Sequence, residues 1–348
     1  MQIIKNNIRH SLLASMILAF SACGTVFEDG DICPIVPPSP LPDSIPEATI
    51  SYKVRFDDSY NMNYADAFSS EIKSLTLFVL DSSSKSLVWT YDETDQEKLK
   101  KGNYTIDLPL TPGNYDLVAW CGITGTDPVP SFSLTTTPEL EKTTIDQLKT
   151  KLSVGKESAD NVIVHSDPLT ELHHGILREQ NLTKHDTTLV VPLVRNTNNV
   201  RVVLQRIDGT DLDAADFDFC VEASNGQMNY DNQLLKDSQR EFRAYNKTNK
   251  AGTNNGTVVL AEMSLARMVL DQNMRLKATY KDKTLLNIPL IKYALLIKGY
   301  YYDTMDDQEF LDRQNDWNFI FFLNENNQWE QSNLYINDWH VILNNLVL

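Results

Sequence analysis

Along most of the chain apolar residues recur at every second position, the period of a half-buried β-strand. From Thr49 to Phe56, Ile50, Tyr52, Val54 and Phe56 fall on one face. Ser74 to Leu80 is a continuous apolar run that stops at a Ser-rich turn after Asp81. Tyr104 to Leu110, the turn Thr111-Pro-Gly-Asn114 and Tyr115 to Cys121 predict strand, tight turn and strand, with Pro112 and Gly113 supplying the turn geometry. Thr188 to Val194 is another strand. Ile145, Leu148 and Leu152 sit at helical spacing and predict an amphipathic helix over Thr143 to Leu152.

The polar break Arg195-Asn-Thr-Asn-Asn199 separates this half from a second of the same character. Strands are predicted over Val200 to Ile207, Phe217 to Ala223, Thr257 to Met263 and Met274 to Tyr280. The last turns through Lys281-Asp-Lys283 into Thr284 to Leu290. Ile291 to Ile297 reads as a short helix or irregular. Trp317 to Leu323 and Leu334 to Leu343 close the pattern. Many short strands with few helices predict an all-β protein of two tandem Greek-key β-sandwiches. The expected division is a signal peptide at 1–22, a linker at 23–46, a first sandwich at 47–196 and a second at 197–348.

The N-terminus sets the destination. Lys5 and Arg9 precede the apolar run Ser11 to Phe20, which is too short to span a bilayer as a helix. Ser21 and Ala22 then lead into Cys23, as in the lipobox of a bacterial lipoprotein, although Phe20 stands where Leu is usual. Cys23 is therefore the expected lipidation site, and two or more acyl chains there give stable membrane attachment. Gly24 to Pro46 carries Glu28, Asp29, Asp31 and six prolines, the composition of an extended, semi-rigid spacer.

Charge narrows the partners. The formal net charge is −16, and loss of Lys5 and Arg9 with the leader takes it to −18 (−16 − 2). Such a chain is a poor binder of nucleic acid, because it cannot displace counterions from phosphates. The remaining cysteines, Cys33, Cys121 and Cys220, form no zinc pattern; Cys33 and Cys121 are the candidate disulfide pair, against three free thiols as the alternative.

A search for chemistry finds little. GxSxG, HExxH, P-loop and GxGxxG motifs are all missing from the sequence. Glu171, His173 and His174, with His165 and His185 nearby, are the best metal candidates. Adjacent histidines diverge on strand or helix alike, so a polar surface loop is the preferred reading and no metal site is expected. Asp57/Asp58 and Asp306/Asp307 read as solvated turn carboxylates rather than a catalytic pair. Tyr300, Tyr301 and Tyr302 read as packing residues rather than a sugar platform. No catalytic residue, cofactor or small-molecule substrate is expected, and the protein is read as not an enzyme.

Several segments carry a common signature. They are Cys23 followed by Asp31-Ile-Cys-Pro34, Leu108-Pro-Leu-Thr-Pro-Gly-Asn-Tyr-Asp-Leu-Val-Ala-Trp120, and Val191-Pro-Leu-Val-Arg195 with Val200-Arg-Val-Val203. Phe310-Leu-Asp-Arg313, Asp316-Trp-Asn-Phe319 and Ile336-Asn-Asp-Trp339 complete the set. In this order they resemble the FimB-type fimbrial anchor family of Bacteroidales. The resemblance implies transthyretin-like sandwiches in an outer-membrane, surface-exposed lipoprotein that holds the first shaft subunit of a fimbrium. It also implies that shaft subunits lose their first strand by cleavage after Arg, whereas anchors keep theirs. Between Cys23 and Tyr52 this sequence has neither Arg nor Lys. The C-terminal segment is expected to act as a donor strand through Tyr335, Ile336, Trp339, Val341 and Leu343, with Tyr335, Trp339, Val341 and Leu343 on one face. A surface glycan-binding lipoprotein, or a tip or stalk subunit of the same system, are the alternatives.

Overall fold

The computed structural model describes residues 50–252, 256–300 and 304–343. Strands dominate it, and the helices are short. Those of the first half are β1 (Tyr52–Asp57), β2 (Leu75–Asp81), β3 (Leu87–Glu93), β4 (Thr105–Leu108), β5 (Gly113–Cys121), β6 (Phe132–Leu134), β7 (Lys149–Leu152), β8 (Lys156–Glu157), β9 (Ile163–His165), β10 (His173–Leu182) and β11 (Thr187–Arg195). The second half carries β12 (Thr197–Arg206), β13 (Phe217–Ala223), β14 (Gln227–Asn229), β15 (Arg240–Arg243), β16 (Asn246–Ala251), β17 (Thr257–Ala266), β18 (Arg275–Tyr280), β19 (Lys283–Pro289), β20 (Asp316–Leu323), β21 (Trp329–Ile336) and β22 (Trp339–Val341). The helices are α1 (Phe68–Glu71), α2 (Gln96–Leu99), α3 (Leu290–Ala294) and α4 (Asp307–Arg313). No helix among the described residues is long and apolar enough to cross a membrane.

The first sandwich is one seven-stranded sheet in the order β3-β2-β5-β10-β11-β1-β4. It folds on itself at β11. Residues 187–192 of that strand pair in parallel with β1, and residues 193–195 pair with the start of β10. Val54, Phe56, Leu77, Val79, Leu117 and Leu193 fill the space between the layers.

The continuous apolar run at residues 74–80 has a direct physical cause, because β2 is buried on both faces. Leu75, Leu77 and Val79 enter the first core. Phe78 and Leu80, with Val118 and Trp120 of β5, belong instead to a larger core that continues into the second sandwich.

That second sandwich packs a sheet ordered β16-β17-β12-β20-β21-β22 against one ordered β19-β18-β13-β15-β9-β8. The expected boundary at 196/197 falls in the short step from β11 to β12. Residues 132–165 nevertheless run into the second half: β7 pairs with β14, and β9 pairs in parallel with β15.

Three local expectations change. The helix predicted over Thr143 to Leu152 is a single 3-10 turn, Ile145–Gln147, closed by a Thr144/Gln147 capping box, after which the chain enters β7. Ile145, Leu148 and Leu152 are all buried, so burial follows the spacing although the backbone does not; ten residues are too few for periodicity to decide. The strands flanking Thr111-Pro-Gly-Asn114 are not partners, since β4 pairs with β1 and β5 lies between β2 and β10. The last predicted strand is two, β21 and β22, turning at Asn337 and Asp338; Asn337 adopts φ 52°, a left-handed conformation that Asn tolerates.

Candidate functional site

The C-terminal hairpin builds the first part of the site. Leu334 and Ile336 are fully buried and lie beside Phe321 and Phe319 of β20. Val341 lies opposite Leu334 and is buried with it. Tyr335 points to the other face, where its ring stacks on His340 at 4.7 Å and meets Phe322 at 5.9 Å. His340 Nε2 lies 2.9 Å from Asn333 Oδ1. Trp339 and Leu343 are half-buried against the large core.

The common face expected for Tyr335, Trp339, Val341 and Leu343 is therefore absent: the turn at Asn337 reverses the chain and puts Val341 inside while Tyr335 faces out. The hairpin ends its sheet, and the three-residue β22 pairs with β21. The opposite edge, β16, is instead guarded by Lys247 and Lys250 on a polar strand.

A polar junction builds the second part, where the end of β1 meets the starts of β10 and β12. Arg195 donates from Nη1 to Glu71 Oε2 at 3.2 Å, and its Nη2 lies 3.3 Å from Glu171 Oε1. Next to it His173 Nε2 lies 3.6 Å from Asp58 Oδ2, with both side chains buried. Burial, with Glu71 and Asp66 adding negative charge nearby, raises the Asp58 carboxyl to about 7. Burial, then the Arg195 guanidinium, lower His173 to about 3. Between those values the pair is neutral, with its proton on Asp58.

His173 and Glu71 line both a cavity of about 280 Å³ that includes Asp58, Arg195, Arg313 and Asn315, and a larger one of about 1110 Å³ bounded by Lys73, Cys121, Asp127 and Glu171. The Cys121 thiol is fully buried, and burial followed by the Asp58 carboxylate pushes it well up.

His185 lies in an exposed loop, but His165, His173 and His174 are buried on strands rather than in the surface loop expected for them. His173 and His174 open β10 and are buried on its opposite faces; the His174 ring sits 5.5 Å from Trp120, and its Nε2 is 2.8 Å from the Tyr230 carbonyl oxygen. Asp58, expected to be solvated, is likewise inside, because β1 carries it into the junction. Asp306 does lie at a turn, capping α4 through Glu309 N. Cys23, Cys33 and the side chains of Tyr300 to Tyr302 lie outside the described residues. Sequence reasoning missed the junction. Asp58, Glu171 and His173 are each singled out there, but not their convergence; the remaining signal is a charged residue, Arg195, at the end of an apolar strand run.

Among solved structures, a candidate adhesin of Bacteroides thetaiotaomicron is 33% identical over 84% of this chain and 97% of its own, with a TM-score of 0.73. A candidate polysaccharide-binding protein of the same organism is 27% identical over 85% and 99%, also at 0.73. The fimbrial anchor protein Mfa2 of Porphyromonas gingivalis shares the fold at 16% identity over 84% and 98%, with a TM-score of 0.62. No curated protein matches the sequence significantly. The family profile for fimbrillin-A associated anchor proteins Mfa1 and Mfa2 matches residues 42–345. With its strand pattern, its tandem sandwiches and this match over most of its length, the chain belongs to the Mfa2 family of fimbrial anchor proteins.

Proposed function

We propose that this chain is the base subunit of a fimbrium, tethered to the outer membrane by lipid on Cys23 and holding the first shaft subunit through its C-terminal end. One observation carries the reading: β1 is an interior strand, paired with β11 on one side and β4 on the other. A subunit whose opening strand is held this way needs no strand from a neighbour to complete its first sandwich. The absence of Arg and Lys between Cys23 and Tyr52 supports the same conclusion, because a trypsin-like maturation enzyme has no site ahead of β1.

The acidic, proline-rich spacer carries the body away from the lipid, and Cys33 within it is the disulfide partner of Cys121. At the far end, Tyr335 and Ile336 stay in their own sheet as a platform. Trp339, Val341, Leu343 and the residues after them are the part exchanged, because β22 gives up far less burial than β21. An added or exchanged strand gains affinity from main-chain hydrogen bonds and specificity from alternate side chains.

The experiment is a pair of variants in cells that assemble the fimbrium. Cys23→Ala should release fimbriae with the anchor still at their base. Deleting 337–348 should release fimbriae and leave the anchor folded in the membrane. Fimbriae that stay attached in both variants would end the proposal.

A second reading, binding of surface glycans, draws on the ring cluster of Phe322, Tyr335 and His340 and on the polysaccharide-binding description of one relative. Loss of glycan-array binding in Tyr335→Ala would favour it.

A further inference from the structure

We propose that residues 58–67, between β1 and α1, form a strap that locks the first strand in place and ties the two sandwiches into one body. The inference deepens the reading of a base subunit that keeps its opening strand.

The strap is built from its own hydrogen bonds. Asn61 Nδ2 donates to the Asp58 carbonyl at 2.7 Å and to that of Ala65 at 2.8 Å. Asp66 Oδ1 accepts from the amides of Asp58 and Phe68, both at 3.0 Å. The Ala67 amide donates back to the Asp58 carbonyl. Tyr64 takes φ 52° within this closed loop. For a bulky non-glycine residue that conformation is costly, and it persists where the surroundings over-determine it.

The strap is fastened at both ends and in the middle. Phe56 before it and Phe68 after it stack at 5.7 Å inside the first core. Met62, near its centre, packs against the large core that extends into the second sandwich. Arg313 at the end of α4 then reaches across, with Cζ 3.9 Å from the Tyr60 ring centroid and 4.6 Å from that of Tyr64. Its Nη1 donates to the carbonyls of Ser59 and Asn61 at 3.5 and 3.4 Å, and its Nε to Glu309 at 2.7 Å. That side chain is 12% exposed, so its contact with the half-buried Tyr60 ring is sheltered, while the Tyr64 ring stays open to water. A planar guanidinium within reach of two rings, also bonding two carbonyls, is an arrangement Lys cannot reproduce.

The consequence is mechanical. Removing β1 from its sheet drags the strap with it, so β1 cannot leave while Arg313 holds Tyr60 and Tyr64. Load applied to the second sandwich passes through α4 and the strap directly into β1, in parallel with the β11–β12 connection.

The test is hydrogen exchange on purified protein, read at the peptide covering 52–57, together with trypsin cleavage at Lys53 and Arg55. Arg313→Ala and Tyr60→Ala/Tyr64→Ala should each lower protection of β1 by about tenfold or more, with protection in β20 and β21 unchanged. Arg313→Lys should behave like Arg313→Ala, whereas Tyr60→Phe/Tyr64→Phe should retain the rings and keep wild-type protection. If β1 exchanges as in the wild type in both Ala variants, the strap is not a lock. Because the readout is a strand in isolated protein, a failed lock is distinguishable from a failed anchor, which is read by fimbriae leaving the cell.

Discussion

The first strand and the last differ in every respect that governs how readily a strand can be taken away. β1 lies between two neighbours and buries Tyr52, Val54 and Phe56 almost completely. β22 has three residues, sits at the end of its sheet and buries Val341. At about 1.5–3 kcal/mol for each large apolar side chain removed from water, β1 holds several times the stabilisation of β22 before hydrogen bonds are considered. The chain thus closes its N-terminal sandwich firmly and ends its C-terminal sheet thinly. That asymmetry is what the proposed base subunit requires: an opening strand that stays in place and a far end that can engage a neighbour.

The comparison is sharpest at one buried apolar residue of each strand. Phe56→Ala should cost about 3–5 kcal/mol in urea unfolding. Val341→Ala should cost about 1 kcal/mol. Equal costs would show that the ends are not different in kind.

Next in size is a pH effect at the foot of β1. Asp58 titrates near 7 in the fold but near its ordinary value when unfolded, so the folded state binds more protons between those limits. Stability linked to Asp58 is therefore full below about pH 4 and declines as pH rises towards 7. Asp58→Asn should flatten that decline and gain about 2 kcal/mol at pH 8, with little change at pH 4. A variant whose gain is the same at both pH values would show that Asp58 is not held protonated.

The smallest effect on the fold belongs to the other end. Trp339→Ala should lower stability by about 1 kcal/mol or less, since its side chain is half-buried on an edge strand. In cells it should still weaken fimbrial retention. A large loss of stability would place Trp339 in the core rather than at a contact surface.

Much of this was legible in the sequence, for identifiable reasons. Alternation gave β1 directly, because its three apolar residues face one core while Lys53 and Arg55 face water. The unbroken run in β2 was also visible as a strand, although only the structure shows that it separates two cores. Pairing was not legible. The Pro-Gly turn before β5 has the residues of a hairpin, but what decides partners is the fold of the whole sheet around β11.

The hairpin at Asn337 was hidden because apolar residues continue on both sides of it, and a single left-handed Asn is enough to reverse the chain. The junction was hidden for a different reason. Asp58, His173, Arg195 and Arg313 lie far apart in sequence, and each has an ordinary local setting. Only β1 and α4 converging on the same point turns Asp58 into a buried group and Arg313 into a half-buried, partnered one.

The most direct test of a tethered subunit that keeps its opening strand is the intact mass of mature protein extracted from membranes. The account predicts an acylated chain beginning at Cys23 and still containing Tyr52–Asp57. A water-soluble mature form beginning beyond Phe56 would contradict it.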